Sequence, residues 1–182
     1  MSSILDRGST ILPSAARPVF TRAAVCSGPV ETAYRRAGRG DTIVALAARE
    51  WGAGCELFPT LARDFRVIVP ELEDSPADTG RRAAFATWLT AFLDGLGLDS
   101  VTLLADERFG GAALGSAMIE PGRIGRLVVV LDADDSDEPP AAACGTLCGT
   151  ATKLFVTWLG ADRERTGNEV AAMLLGGRRP PG

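Results

Sequence analysis

The stretch VTLLADERFGGAALGSAMIEPGRIGRLVVV, residues 101–130, decides the fold of this protein. Its first five residues form an apolar run, which predicts a strand buried on both faces, and a second run over residues 126–131 predicts another. Between them, residues 109–120 predict a helix of small residues that ends at Pro121 and Gly122. A strand, a helix and a strand in this order form a crossover that makes the two strands parallel.

The rest of the chain continues this alternation of strands and helices. Further strands are predicted over residues 30–35, 42–47, 65–69 and 153–159. Further helices are predicted over residues 55–63, 79–96 and 167–175. We therefore expect an α/β fold with a mostly parallel sheet and helices on both faces. Residues 1–28 have weak periodicity and are expected to form an N-terminal arm, so that residues 29–182 make up the single domain.

The composition excludes several classes of function. The 182 residues include no His, which removes Ser-His-Asp and Cys-His catalysis and zinc sites with His ligands. The net charge of -4 disfavours binding to nucleic acid, and no apolar run approaches the roughly 20 residues that span a bilayer. Cys144 and Cys148 have no second pair of ligands, so no metal site is expected. No cofactor is expected either. Residues 1–7 lack the pattern of a secretory signal, so the expected location is cytoplasmic.

Residues 101–130 resemble the α/β-hydrolase superfamily, in which a strand, a G-x-S-x-G turn, a small-residue helix and another buried strand follow at this spacing. The resemblance covers residues 30–175. It implies an α/β-hydrolase-like fold in which the lid is reduced to an exposed loop, residues 132–150, and the last strand is missing.

The resemblance also implies that the catalytic triad of that superfamily is lost. If the alignment is anchored on Gly110 and Gly111, Arg108 takes the position of the nucleophile. If it is anchored on the end of the strand, Glu107 takes that position. Neither residue carries a hydroxyl group, and Arg163 falls at the position of the triad acid. Ordinary ester or amide hydrolysis is therefore not expected.

Parallel sheets bind their ligands at the carboxyl ends of the strands, and the candidate site is drawn from the residues that follow those ends. The candidate catalytic residues are Glu107, Asp106, Arg108 and Arg163. The candidate substrate-binding residues are Arg49, Trp51, Phe109, Glu73, Asp74, Trp158 and Asp162. Structural roles stay open for all of them, namely an ion pair such as Glu107 with Arg163, solvated loop charges, or aromatic core packing.

Two functions remain open from the sequence. The first is a non-hydrolytic enzyme, a cyclase, isomerase or epimerase acting on a largely apolar small molecule of the kind found in natural-product biosynthesis. In such an enzyme Glu107 or Asp106 moves a proton. Arg108 or Arg163 then stabilises the developing negative charge. The second is a catalytically inactive pseudo-hydrolase that binds a ligand or a partner protein.

The predicted strand at residues 153–159 bears on the oligomeric state. With the last strand missing, this strand is expected to form a bare sheet edge with unpaired backbone groups. A second copy of the chain or the N-terminal arm must then cover it. We expect a homodimer, with the arm as the alternative.

Overall fold

A single sheet organises the part of the chain that the computed structural model describes, which is residues 17–27, 30–47, 56–72, 79–132, 143–146, 150–159 and 162–176. The strands are β1 (Thr21–Ser27), β2 (Val30–Ala37), β3 (Thr42–Leu46), β4 (Arg66–Pro70), β5 (Val101–Asp106), β6 (Ile124–Asp132), β7 (Ala143–Thr146) and β8 (Lys153–Leu159). The helices are α1 (Leu57–Leu61), α2 (Thr79–Gly95), α3 (Glu107–Ile119) and α4 (Arg163–Leu174). None of these described helices has the length and apolarity needed to cross a bilayer.

The strands follow the order β1-β2-β4-β3-β5-β6-β8-β7 across the sheet. From β4 to β8 each strand is parallel to its neighbour. The β1–β2 hairpin joins β4 in antiparallel fashion, and β7 is antiparallel to β8. This confirms the predicted α/β class and the mostly parallel sheet. The parallel strands bring their carboxyl ends to one edge of the sheet and their amino ends to the other.

Helices cover both faces of the sheet, as predicted. On one face α1 and α4 pack with residues such as Leu61, Val170 and Ile43. On the other face α2 and α3 pack in a second core that includes Phe92 and Val44. Ile43 and Val44 are neighbours in β3 and enter different cores because successive side chains of a strand point to opposite faces. Full burial of one such side chain contributes about 1.5–3 kcal/mol to stability.

The edge of the sheet formed by β7 and β8 differs from the prediction. β7 lies within residues 132–150, which were expected to form an exposed loop, and pairs with β8 from Thr146 opposite Lys153 to Ala143 opposite Val156. The expectation that residues 153–159 form a bare edge is therefore wrong. β7 has four residues, Ala-Cys-Gly-Thr, and contains no apolar run that would have marked it as a strand. The homodimer was expected to cover that bare edge. It stays a prediction, but the reason for it no longer holds, because β7 covers β8.

The near edge of the sheet also differs from the prediction. Thr21–Ser27 were expected to belong to an arm, and they form β1, which pairs with β2 along its whole length. The proposed boundary between residues 28 and 29 therefore falls in the connection of a hairpin. Ala23 and Val25, two residues apart on the same face of β1, pack against the core beneath α2. Residues 1–16 lie outside the described part of the chain.

Two helices begin earlier than the sequence predicts. α3 begins at Glu107 instead of residue 109, and α4 begins at Arg163 instead of residue 167. In each case the preceding residue, Asp106 or Asp162, caps the helix. Charged residues expected in turns and loops therefore belong to the first turns of helices.

Candidate functional site

The described part of the carboxyl edge is centred on the junction between β5 and α3. β5 lies between β3 and β6, and its last residue, Asp106, is opposite Val130 of β6. The segments that follow β3, β4 and β6 include residues that lie outside the described part of the chain. Four candidate residues lie there, namely Arg49, Trp51, Glu73 and Asp74.

Asp106 points inward and caps α3. Its side chain is 2% exposed, and its Oδ1 accepts a hydrogen bond from the backbone N–H of Phe109 at 3.0 Å. The first N–H groups of a helix have no partner within the helix, and a carboxylate at this position also interacts favourably with the helix dipole. Such a cap contributes about 1 kcal/mol. An Asp placed directly before the start of a helix is a capping signal in the sequence, and it could have identified this role.

The junction between β5 and α3 lacks the strained backbone of a nucleophile elbow. Asp106 has φ -73° and ψ 175°, which is ordinary extended backbone. Across the described ranges, every residue with positive φ is a glycine, and none of those glycines lies at this junction. A nucleophile elbow holds its central residue on a sharp, strained turn. The turn implied by the resemblance is therefore replaced here by a capped and relaxed strand-to-helix junction.

The side chain of Phe109 also points inward, and the backbone of Gly110 faces β6. Phe109 is 2% exposed, and its ring lies 5.8 Å from the ring of Phe85 in the core. A Cβ atom at Gly110 would lie 3.2 Å from Cγ1 of Val129, so the glycine lets α3 approach β6 closely. The structure places Phe109 in core packing, the structural role that the sequence left open for it.

Glu107 and Arg108 point outward from the first turn of α3, and both are exposed. Glu107 makes no hydrogen bond or ion pair with any other side chain of the described ranges. In particular, the ion pair between Glu107 and Arg163 that the sequence suggested is not formed. The carboxylate next to the strand end that solvent can reach is therefore that of Glu107, whereas that of Asp106 is enclosed.

The first turn of α4 holds the remaining described candidates. The Asp162 side chain accepts a hydrogen bond from the backbone N–H of Arg165 at 2.9 Å, so Asp162 is again a helix cap. Arg163 is exposed on the same turn. A surface groove of about 450 Å³ runs along this helix and is lined by Asp162 together with Arg165 and Glu169. The backbone of Trp158 lies in β8, opposite Leu131 of β6.

Glu71, which directly follows β4, joins three strands. Its carboxylate lies 2.8 Å from Nη2 of Arg22 in β1 and 3.3 Å from Nε of Arg35 in β2. The hydrogen bond from Arg22 is the main reason why the pKa of Glu71 is below its usual range. Two arginines thus neutralise the carboxylate that directly follows β4.

No family model matches the sequence, whereas solved structures are similar to it. One is 2-hydroxy-6-oxo-6-phenylhexa-2,4-dienoate hydrolase from Rhodococcus sp. strain RHA1, with a TM-score of 0.53, 16% identity, and coverage of 68% of this chain and 50% of that one. Another is a CIB-like hydrolase from Thermoplasma acidophilum, with a TM-score of 0.63, 11% identity, and coverage of 87% of this chain and 99% of that one. A third is Cfl2 from Burkholderia cenocepacia, with a TM-score of 0.52, 26% identity, and coverage of 67% of this chain and 45% of that one.

These similarities agree with the topology described above. The chain spans about half the length of the Rhodococcus hydrolase and nearly the whole length of the Thermoplasma protein. A serine hydrolase involved in carbazole degradation is similar at a TM-score of 0.52 and 20% identity. In this chain the parallel order is β4-β3-β5-β6-β8, with the β5–α3 junction at its centre. The chain therefore has the α/β-hydrolase fold, as the pattern of residues 101–130 predicted.

Proposed function

We propose that this protein is a catalytically inactive pseudo-hydrolase that binds a largely apolar small molecule at the carboxyl edge of its sheet. The observation that carries the proposal is the hydrogen bond from the Phe109 N–H to Asp106. A carboxylate beside the position of the family's nucleophile is engaged in holding the start of α3. The junction at the centre of the edge thus serves the fold.

The residues around this junction support the absence of hydrolytic chemistry. Hydrolysis by the superfamily's route requires a nucleophile activated by a base within hydrogen-bond reach. The first turn of α3 offers Glu107, Arg108 and Phe109, and the sequence has no imidazole. The single serine of α3, Ser116, is buried and donates its hydroxyl hydrogen to the carbonyl of Ala112 at 2.9 Å.

The class of ligand is part of the proposal. The Rhodococcus hydrolase acts, by its name, on an acid that carries a phenyl group. We extend the aryl-bearing class to this chain. The expected ligand is a neutral aryl compound, in keeping with the largely apolar small molecule named above.

The absence of hydrolysis is tested with 4-nitrophenyl acetate and 4-nitrophenyl butyrate. We expect the release of nitrophenol with the protein to equal that of the buffer blank. Turnover by the wild-type protein that is lost in Glu107→Gln would overturn the proposal, because it would show a working carboxylate at the junction.

Binding is tested with the neutral fluorescent probe 1-N-phenylnaphthylamine. We expect a saturable rise in fluorescence with the wild-type protein. Glu107→Trp puts a bulky ring at the centre of the carboxyl edge and is expected to weaken binding. Ile119→Trp puts the same ring at the exposed far end of α3 and is the matched control. Equal affinities for the two variants would place the probe elsewhere and contradict the proposal.

A proton-transfer enzyme of the cyclase, isomerase or epimerase type is the second candidate. The exposure of Glu107 beside Arg108 at the end of β5 favours it. The carboxylate would take a proton from the carbon next to a carbonyl group, and the guanidinium would stabilise the enolate oxygen. Deuterium exchange at that carbon of phenylacetone in D₂O, followed by NMR, distinguishes the two. Exchange above the blank that Glu107→Gln abolishes supports the enzyme, and exchange at the blank rate supports the binding protein.

A further inference from the structure

The amino edge of the sheet, opposite the candidate site, carries an open groove of about 430 Å³. It lies where the parallel strands β3, β5, β6 and β8 begin side by side. Its polar lining is made of Asp41, Thr42, Ser100, Thr102, Arg126 and Lys153. None of these residues belongs to the carboxyl edge, so a ligand here would be additional to the proposed function.

Three of these side chains form one row across neighbouring strands. Thr102 of β5 is in register with Arg126 of β6, and Arg126 is in register with Lys153 of β8. In-register residues of parallel strands project from the same face of the sheet. Leu104 and Val128, two residues further along their strands, pack in the core beneath α1 and α4. The row therefore lies at the amino end of that face, next to the core.

The two cations of the row have no partner within the described part of the chain. Neither Arg126 nor Lys153 forms an ion pair or a side-chain hydrogen bond with a described residue. The carboxylate of Asp41 lines the same groove and pairs with neither of them. Like charges placed opposite each other on neighbouring strands destabilise a sheet. An anion bound between them would remove that repulsion.

The same chain shows how a cross-strand pair of cations is neutralised by the protein itself. Arg22 of β1 is in register with Arg35 of β2, and the carboxylate of Glu71 contacts both. Arg126 and Lys153 are likewise in register, although on parallel strands, and they face an open groove where the first pair has a carboxylate. The first pair of cations is thus bridged by a carboxylate of the protein, and the second pair is bridged by none within the described ranges.

We propose that the groove binds a phosphate group between Arg126 and Lys153. A guanidinium presents paired N–H donors that match phosphate oxygens, and an ammonium adds a compact positive charge. The hydroxyl groups of Ser100 and Thr102 line the same groove and supply further donors. Its volume leaves room for an organic group beside the phosphate. The ligand class is therefore inorganic phosphate or the phosphate monoester of a small alcohol.

Isothermal titration calorimetry on the full chain tests this proposal with two probes, inorganic phosphate and glycerol 3-phosphate, at low and matched ionic strength. We expect saturable binding of one ion per chain. Arg126→Gln and Lys153→Met are each expected to weaken binding by about tenfold or more, because each removes a charged hydrogen-bond donor. Arg36→Gln makes the same change of charge at an exposed position on β2 and is expected to leave the affinity within about twofold.

The two probes separate the possible sources of phosphate. Tighter binding of glycerol 3-phosphate supports an organic phosphate as the ligand, and equal binding supports the inorganic ion. The absence of saturable heat with both probes would overturn the proposal, as would equal weakening by Arg36→Gln and Arg126→Gln. If Arg126→Gln does not fold by circular dichroism, Lys153→Met and Thr102→Val decide the matter, and unchanged affinity in both would overturn it.

Discussion

The carboxyl edge and the amino edge of the sheet use their charged side chains in different ways. At the carboxyl edge, Asp106 caps a helix and Glu71 binds two arginines, so these carboxylates serve the fold. At the amino edge, Arg126 and Lys153 face a groove and have no partner among the described residues. At the carboxyl edge, where hydrolases carry catalytic groups, Asp106 and Glu71 are thus held by partners within the protein while Glu107 stays exposed. At the amino edge the two cations face the groove. The contacts of a charged residue, more than its position in a known fold, indicate what it does.

The largest expected effect tests whether the β5–α3 junction is core or site. Phe109→Ala removes a ring that is 2% exposed, and should lower the free energy of unfolding by about 3–5 kcal/mol because it leaves a cavity. Urea denaturation followed by circular dichroism measures this. Ile119→Ala in the same helix, at a position that is 62% exposed, should change it by less than about 0.5 kcal/mol. A loss for Phe109→Ala as small as that of the control would mean that the ring lines a site.

The next effect concerns the two adjacent carboxylates of the junction. Asp106→Ala removes the acceptor of the Phe109 N–H and should lower the free energy of unfolding by about 1–2 kcal/mol. Asp106→Asn keeps a side-chain oxygen at the cap and should cost less. Glu107→Gln changes an exposed neighbour and should stay within about 0.5 kcal/mol of the wild type. Equal losses for Asp106→Ala and Glu107→Gln in thermal unfolding would show that the inward and outward assignments are wrong.

The central strands could be predicted from the sequence because they are buried on both faces. Residues 42–47 and 101–105 are continuous apolar runs, and the structure has Thr42–Leu46 and Val101–Asp106 there. The edge strand β7 carries no such run. The four residues Ala143–Thr146 form a strand because they pair with β8. Their own sequence has no pattern that predicts this pairing.

The sequence could place the candidate residues at the ends of strands, but it could not show which way their side chains point. The end of β5 placed Asp106 and Glu107 together at the carboxyl edge, and the structure agrees. Which of the two carboxylates points inward depends on the residue at which α3 begins. A shift of that start from residue 109 to Glu107 turned Asp106 into a cap and left Glu107 on the solvent side. The residue at which a helix begins depends on the packing of the whole fold. In the sequence, only the capping signal of Asp106 indicates it.

A smaller effect concerns the arginine pair that the protein neutralises itself. The pKa of Glu71 is lowered, mainly by the hydrogen bond from Arg22, so its stabilising contribution is fully present above the unfolded-state value of about 4.3. The contribution is lost as the pH falls through the lower folded-state pKa. The stability difference between the wild type and Glu71→Gln should therefore be constant from about pH 7 to 5 and shrink below about pH 4. Most of this pH dependence should disappear in an Arg22→Gln background, and its persistence there would contradict the assignment.

The smallest effect compares the two cross-strand cation pairs directly. In chloride buffer without phosphate, Arg126→Gln should raise the free energy of unfolding by about 0.2–1 kcal/mol, because it removes the repulsion with Lys153. Arg22→Gln should lower it, because Glu71 then loses a partner. In saturating phosphate the wild type gains stability by linkage and should overtake Arg126→Gln. Thermal unfolding in the two buffers at equal ionic strength measures both signs. A loss of stability for Arg126→Gln in chloride would mean that Arg126 has a structural partner as Arg22 does, and the contrast between the edges would then fail.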